Sequence, residues 1–176
     1  MKLRDVLEKA IAIINDDIDL NTPSVKLTKL IKCANTVYAE LVEEYSYLKR
    51  EEEAEFVDGR ALFGQFAKTV KDITGVYKNG IKYPFTVYPD CVKSEKLNGK
   101  AVVRYVYHAP EAGIDDALEL PPQFSAHVLA NGVAAEYFYR SGLIDESAFY
   151  KNRYDTSVIN LTRKNKPIEL KVERFL

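Results

Sequence analysis

Residues 118–157 constrain the fold more than any other part of this sequence, because they predict two helices joined by a tight turn. Pro121 and Pro122 suit the start of a helix, where a missing N–H group costs nothing. The first helix is therefore predicted over residues 122–141. Gly142 follows it as a residue that can adopt the left-handed conformation in which many helices end. An ordinary helical hairpin in a protein core would also explain this pattern.

The second helix of this hairpin is predicted over residues 146–157. Asp145 is its expected N-cap, because a carboxylate there can accept hydrogen bonds from the free N–H groups of the first turn. Ile144 and Phe149 stand at the spacing of a hydrophobic staple around that cap. The pattern therefore predicts that these two apolar side chains pack on each other.

The centre of the first hairpin helix carries small residues between apolar ones, which predicts contacts on more than one side. Gly132 and Ala135 should let another helix approach closely. We expect the neighbour to be a long helix over residues 23–49, which would make the contact through Leu30, Ala34 and Val37.

Apolar residues recur every three or four positions near the N-terminus, which predicts amphipathic helices over residues 3–15 and 23–49. Thr22 is the expected N-cap of the second helix, and Pro23 is its expected first residue. The charged residues 49–53 are predicted to close it. Charges interrupt the N-terminal apolar stretch, so we expect no signal peptide. No apolar run approaches the roughly 18 residues that span a bilayer, so no membrane partner is expected.

Residues 54–108 mix short apolar groups with glycines, which predicts an antiparallel β subdomain inserted between the helices. Asn79-Gly80 and Asn98-Gly99 each predict a tight hairpin turn, because both residue types tolerate positive φ. The strand over residues 101–107 is mostly apolar and is predicted to be central in its sheet. The expected fold is α+β: a bundle of two N-terminal helices and a helical hairpin, with this insertion, in a single domain over residues 1–176.

The segment after the hairpin is predicted to form a β hairpin or arm over residues 158–176. Its two expected strands are residues 158–162 and residues 168–173, the second of which alternates between apolar and charged residues. Because a two-stranded hairpin is marginal in water, the strands should pair with the β subdomain of the same chain or with a neighbouring protein. The candidate assembly contacts are Ile168, Leu170, Val172 and Phe175.

Motifs of catalysis and cofactor binding are not found in the sequence. It contains no phosphate loop, no glycine-rich dinucleotide fingerprint and no serine elbow. His108 and His127 have no second ligand at metal spacing, and Cys33 and Cys91 form no close pair, which favours reduced thiols. Lys and Arg total 25 against 26 for Asp and Glu, a balance that does not favour nucleic acid. We therefore expect no catalytic residue, no metal and no cofactor.

Three segments of the chain carry a resemblance to a known family: ITGVYKNGIKYPFTVYPD, then GKAVVRYVYHAP, then LPPQFSAHVLANGVAAEYFYRSGLIDESAFYKNRYDTSV. In this order they resemble the head–tail adaptor (connector or neck) proteins of tailed bacteriophages and prophages. The resemblance covers residues 73–158, whereas the N-terminal helices fit only by length and order. The matching residues are Tyr105, Pro110, Leu120, Pro121, Gly132, Ala134, Ala135 and Tyr154.

The resemblance implies a structural virion protein without catalytic residues. Proteins of this family form a ring, usually a dodecamer, beneath the portal protein, and they join the DNA-filled head to the tail or to a second neck protein. It further implies assembly in the host cytoplasm, a final position at the head–tail junction of the virion, and no sequence-specific nucleic-acid binding. The alternative is an enzyme or small-ligand-binding protein with a pocket in the β insertion lined by Tyr83, Tyr88, Tyr105 and Tyr107.

Overall fold

The computed structural model describes residues 1–45 and 48–163 of the chain, which divides into two compact units. The helical unit comprises Met1–Tyr38 and the chain from Ala112 onward, and the sheet unit comprises Ala39–Glu111. Helices and antiparallel sheets therefore occupy separate stretches of sequence, which confirms the α+β class.

The described residues form four α-helices: α1 (Leu3–Ile14), α2 (Val25–Tyr45), α3 (Ala126–Tyr139) and α4 (Ile144–Arg163). Both α1 and α4 pack on α3, so α3 is the centre of the helical unit. Every residue from 129 to 135 is buried, which explains why α3 has no polar face in the sequence.

Two helices begin later than the sequence predicted, because a serine caps each of them. The Ser24 hydroxyl accepts a hydrogen bond from the Leu27 N–H at 3.1 Å, and α2 starts one residue after Ser24. Ser125 caps α3, where its side chain accepts from the Val128 N–H. The predictions of Thr22 as a cap, of Pro23 as the first helical residue and of a helix from residue 122 are therefore wrong.

The turn between α3 and α4 has the predicted glycine in the left-handed conformation, with φ of +79° at Gly142. The Leu143 N–H closes the turn by donating to the Phe138 carbonyl at 3.0 Å. However, α4 begins at Ile144, so Asp145 lies in the first turn and is not the N-cap. A carboxylate in the first turn still stabilises the helix through its dipole.

Helix α4 continues to Arg163, so the predicted strand over residues 158–162 is wrong. Tyr154 and Val158 are one helical turn apart and both are buried, which places them on the same inward-facing stripe of α4. Residues 158–162 are helical because this stripe packs on the rest of the helical unit. The second predicted strand, residues 168–173, lies outside the described residues, as do Ile168, Leu170, Val172 and Phe175.

The sheet unit contains two antiparallel sheets, with strand orders β1-β7-β3-β4 and β2-β6-β5. The central position predicted for residues 101–107 is confirmed, since β7 pairs with both β1 and β3. The strands are β1 (Leu48–Phe56), β2 (Arg60–Leu62), β3 (Val70–Lys78), β4 (Ile81–Tyr83), β5 (Thr86–Val87), β6 (Cys91–Lys93) and β7 (Gly99–Tyr107).

One of the two predicted Asn-Gly hairpin turns is present. Asn79 and Gly80 both have positive φ, 53° and 78°, and they connect the paired strands β3 and β4. Gly99 also has a positive φ, but β6 pairs with β2 and β5 and not with β7. The prediction of a hairpin at Asn98-Gly99 is therefore wrong, because the flanking strands belong to different sheets.

Residues 49–53, predicted to close α2, instead form the middle of β1. Strand β7 provides the cations that this acidic stretch needs. Arg104 Nε lies 2.7 Å from a Glu51 carboxylate oxygen, and Lys100 Nζ lies 2.8 Å from one of Glu53. Cross-strand pairs of opposite charge stabilise a sheet, so β7 determines the conformation of this stretch more than its own helix propensity does.

Candidate functional site

Four large apolar or aromatic side chains near the turn of the α3–α4 hairpin are exposed, and we call this set the hairpin patch. Exposed apolar surface rimmed by polar residues marks many protein–protein contact sites. The members and their exposed fractions are Tyr139 at 62%, Leu143 at 45%, Ile144 at 57% and Phe149 at 57%.

The position of the patch follows from the buried stripe of α4. Tyr154 and Val158 on that stripe are 6% and 1% exposed, and Tyr150 is half-buried one turn before Tyr154. Phe149 lies outside this stripe, so its ring remains at the surface. The staple predicted between Ile144 and Phe149 therefore does not bury either side chain. A stripe drawn through residues 150, 154 and 158 would have indicated this exposure from the sequence.

Aromatic contacts fix the orientation of the Phe149 ring. It meets the Tyr150 ring edge to face at 5.1 Å between centroids, and Tyr150 stacks on Phe138 at 5.7 Å. Phe138 is 8% exposed and belongs to the core of the helical unit. An exposed ring that is already ordered loses little conformational entropy when a partner covers it.

Charged side chains form the rim of the hairpin patch. The Arg153 guanidinium lies 5.7 Å from the Phe149 ring centroid, within cation–π range. Asp145 and Glu146 lie in the first turn of α4. Arg140 forms an ion pair with Glu136 at 2.6 Å, and this hydrogen bond raises the pKa of Arg140. An apolar, aromatic centre with a charged rim is typical of protein–protein interfaces.

A second feature of the helical unit is a groove beside the N-terminal end of α2. Val25 is 88% exposed there, and the lining includes the cations Lys29, Lys32 and Arg140. Lys29 Nζ donates to the Ser141 hydroxyl at 2.7 Å and lies 4.5 Å from the Tyr137 ring centroid. The groove therefore combines apolar surface with positive charge.

The tyrosines proposed for a ligand pocket in the sheet unit have different environments. Tyr105 and Tyr107 are 0% and 5% exposed, and the Tyr105 ring packs on Phe66 at 5.0 Å between centroids. Tyr83 lies on the edge strand β4. Tyr88 is 44% exposed and lines a groove with neighbouring loop residues, whereas Tyr105 lines a different groove. The two buried rings serve as core residues of the sheet unit.

Tyr105 lies beside the partly buried carboxylate of Glu52, which affects the pKa of the Tyr105 hydroxyl. Burial, and then the charge of Glu52, raise the pKa of Tyr105, so its hydroxyl stays protonated at neutral pH. Glu52 accepts a hydrogen bond from the Ala67 N–H at 3.0 Å and also contacts Arg50. This arrangement suits a structural polar cluster, since a protonated phenol is a poor general base.

The cysteines and histidines have the environments of structural residues. Both cysteines are buried, and burial raises the pKa of the Cys33 thiol to about 11 and raises that of Cys91. A protonated thiol is a weak nucleophile. His108 Nδ1 lies 3.0 Å from a Glu43 carboxylate oxygen, and His127 is exposed on α3. Residues 1–45 and 48–163 contain no group of three or more His, Cys, Asp or Glu side chains suited to a metal ion.

No protein-family profile matches the chain, and no curated protein matches it. None of the helices in the described part of the chain is long and apolar enough to cross a membrane. The function is therefore argued from the resemblance and from the surfaces of the molecule.

Proposed function

We propose that this chain is a structural virion protein, a head–tail adaptor that forms a ring beneath the portal and joins the DNA-filled head to the tail. The observation that carries the proposal is the hairpin patch. All four of its residues lie within the last of the three segments that resemble the adaptor family. The segment that resembles a protein-docking family thus also carries an exposed apolar surface with the composition of an interface.

The physical properties of the hairpin patch suit an assembly protein. Covering Phe149 and Ile144 would remove large apolar areas from water, and the rim charges would orient the partner. A ring requires heterologous contacts, in which one surface of each subunit meets a different surface of the next. In this proposal the hairpin patch binds the portal, and ring contacts are made by other surfaces. No enzymatic step and no cofactor are part of it.

Binding to portal-bearing heads tests the proposal. Purified protein is mixed with DNA-filled heads that carry the cognate portal but lack the adaptor, and bound protein is measured after sedimentation. We expect saturable binding that Phe149→Ala and Ile144→Ser each weaken about tenfold or more, since truncating a central aromatic anchor costs roughly 2 kcal/mol or more. Ile81→Ser is the matched control, because Ile81 is 63% exposed but lies in the sheet unit.

Two results would contradict the proposal. Absence of any binding to intact portal-bearing heads would remove the adaptor function. Binding that Phe149→Ala and Ile81→Ser weaken equally would leave portal binding in place but remove the hairpin patch as its surface. Thermal denaturation of each variant establishes that the substitutions leave the helical unit folded.

A further inference from the structure

One edge of the larger sheet is open along part of β1. Strand β1 is the terminal strand in the order β1-β7-β3-β4, and it pairs with β7 without a bulge over its whole length. In an antiparallel pair, alternate residues direct their N–H and C=O groups away from the partner. An edge strand therefore offers half of its backbone groups to another strand.

Local hydrogen bonds identify which residues of β1 face outward. The Glu55 N–H donates to the Gln65 side-chain oxygen at 2.9 Å, and the Gln65 amide donates to the Glu55 carbonyl at 3.2 Å. Val57 likewise bonds with Arg60 in both directions at 2.9 Å. The odd-numbered residues of β1 are thus the outward ones.

By the same alternation, three more residues of β1 face outward: Lys49, Glu51 and Glu53. Within residues 1–45 and 48–163, no partner bonds to their backbone N–H and C=O groups. The end of β1 near Glu55 is covered by Gln65, and the end near Lys49 is open. The open part has room for a strand of about five residues.

The charges of β1 select which strand can pair with this edge. Glu51, Glu53 and Glu55 share one face of the strand with Lys49, so any pairing of two β1 strands that places Glu51 or Glu53 opposite a glutamate of the other copy brings like charges together. Edge strands commonly use charge in this way to prevent pairing with themselves. A strand that places a lysine opposite Glu51 can pair with this edge, because the two side chains have opposite charges.

The C-terminal segment of the chain has the required pattern. Residues 168–173 alternate, with Ile168, Leu170 and Val172 on one face and Glu169, Lys171 and Glu173 on the other. The segment from residue 164 to residue 176 follows the end of α4, and its first four residues, Lys-Asn-Lys-Pro, can span about 13 Å when extended.

We propose that residues 168–173 of one copy add an antiparallel strand to the open edge of β1 in the neighbouring copy. Lys171 lies opposite Glu51 in this pairing. Glu173 then falls opposite Lys49, so both cross-strand pairs join opposite charges. Glu169 meets Glu53, whose charge is already paired with Lys100 at 2.8 Å, as that of Glu51 is with Arg104 at 2.7 Å.

The same register explains the position of the proline. Pro167 falls opposite Glu55, where Gln65 already occupies the outward N–H and C=O groups. Proline has no N–H to donate, so it loses nothing at a position where the edge is closed. Pairing can therefore begin at residue 168, and the apolar face of the segment lies on the same side of the sheet as Ala54 and Phe56.

This inference rests on the proposed function in one respect, that the neighbouring copy is the next subunit of the ring. One terminal strand reaching the next subunit is a heterologous contact, and repetition of the contact around the axis closes a ring. Pairing between copies thus provides the ring contact, separate from the hairpin patch.

Mixing two variants that each carry one added cysteine tests the pairing. Glu51→Cys and Lys171→Cys are purified separately, mixed at high concentration or on portal-bearing heads, and oxidised mildly. Directly opposed antiparallel residues have Cα atoms about 4.5–5.5 Å apart, within the range that a disulfide bridges. We expect a disulfide-linked dimer, and only between copies, since neither chain holds both cysteines. The natural Cys33 and Cys91 are buried and do not interfere.

The matched control replaces Glu51→Cys by Val102→Cys. Val102 is on the same sheet but one strand further, on β7, at about 10 Å from the added strand. No dimer should form with Lys171→Cys from that position.

An exchange of charges provides a second test. Lys171→Glu should weaken binding of the C-terminal strand to the edge of β1, and Glu51→Lys in the neighbouring copy should restore that binding.

Four outcomes are decisive. Dimers from Glu51→Cys with Lys171→Cys, and none with Val102→Cys, support the pairing between copies. A chain that carries both Glu51→Cys and Lys171→Cys and that closes an internal disulfide, even when diluted into wild-type protein, overturns it. Heads that bind the protein but yield no dimer also overturn it while leaving the proposed function intact, whereas failure to bind heads removes the proposed function.

Discussion

Gly132 on α3 lies directly against Val37 on α2. A β-carbon at Gly132 would stand 2.8 Å from Val37 Cγ1 and 3.0 Å from the Tyr154 ring. Real β-carbons essentially never come as close as the Val37 distance and seldom as close as the Tyr154 distance, so glycine is the residue that lets both neighbours reach α3. The centre of the helical unit thus depends on the absence of one side chain.

The Gly132→Leu variant is expected to lower the free energy of unfolding by about 1–3 kcal/mol, because the added side chain overpacks the core. Val37 and Tyr154 would have to move together. Denaturant unfolding followed by far-UV circular dichroism measures the change.

Gly64→Leu is the matched control for this prediction. Nothing lies within 4 Å of a β-carbon at Gly64, and its φ is not in the left-handed region, so the substitution should leave the midpoint nearly unchanged. In the Val37→Ala background, Gly132→Ala should be better tolerated than in the wild type. Equal effects of Gly132→Leu and Gly64→Leu would mean that α3 can shift to admit the side chain.

The α2–α3 contact was predictable from sequence because small residues in an apolar helix mark a close approach. Leu30, Ala34 and Val37 were named as neighbours of Gly132, and Val37 is one of the two side chains in contact with it. Tyr154 was not predicted there. Its position depends on where α4 begins, and cap positions are poorly determined by local sequence.

The conformation of β1 and of the last turns of α4 was not predictable from local pattern. Residues 49–53 contain good helix formers, yet the pairing of β1 with β7 along its whole length and the burial of Ala54 and Phe56 make them a strand. Residues 158–162 contain β-branched residues, yet Val158 is buried one turn after Tyr154 and extends the helix. In both cases a distant partner outweighs local propensity.

The staple pattern gave the wrong expectation for the hairpin patch, whereas a helical stripe through Tyr150, Tyr154 and Val158 indicates the exposure of Phe149. Ile144 and Phe149 have the spacing of a staple, which predicts burial of both. In α4, Phe149 lies outside the stripe of Tyr150, Tyr154 and Val158, so its ring stays exposed. The candidate assembly residues in the C-terminal segment lie outside the described residues, and their role stays a prediction.

Gly75 in β3 provides a second test of a close approach. A β-carbon there would lie 2.6 Å from Cε2 of the Tyr77 ring, which in turn lies 4.4 Å from the Arg104 guanidinium. In a Tyr77→Ser background, Gly75→Ala should stabilise the sheet unit by about 0.4–1 kcal/mol, because the unfolded chain loses entropy. In the wild type this gain should vanish, since the Tyr77 ring must leave its place over Gly75.

A double-mutant cycle on Gly75 and Tyr77 measures this coupling. Each of the four proteins is unfolded in denaturant, and the effect of Gly75→Ala is compared between the two backgrounds. Identical effects in both backgrounds would show that the Tyr77 ring does not lie over Gly75 in solution.

Asp16 should make the stability of the helical unit depend on pH. The hydrogen bond from Lys26, at 2.7 Å, lowers the pKa of Asp16, and the Tyr137 hydroxyl donates to the same carboxylate at 3.2 Å. Since the folded-state pKa lies below the unfolded value, this contribution is fully present above about pH 4 and is lost as the pH falls through the folded pKa.

Comparison of Asp16→Asn with the wild type isolates this effect. The variant should have a lower denaturant midpoint at pH 6, and the difference should shrink as the pH falls through the folded-state pKa of Asp16, where the wild-type carboxyl also becomes protonated. Asp17→Asn is the matched control, because Asp17 is an exposed neighbour whose carboxylate does not bond to Lys26. A difference that stays constant with pH would exclude the ion pair as its cause.

Truncation of the C-terminus separates the core of the helical unit from the segment proposed to join the neighbouring copy. A chain that ends after Arg163 keeps all of α4, including Val158, which is 1% exposed. It should keep its melting temperature yet give no ring contact on portal-bearing heads.

A chain that ends after Ser157 loses Val158 and should be less stable by roughly 1.5–3 kcal/mol, the contribution of one buried aliphatic side chain. Val158→Ala in the full-length chain should reproduce part of that loss while retaining the ring contact. If the chain ending after Arg163 unfolds as easily as the shorter one, residues 164–176 stabilise the isolated subunit, and pairing between copies is wrong.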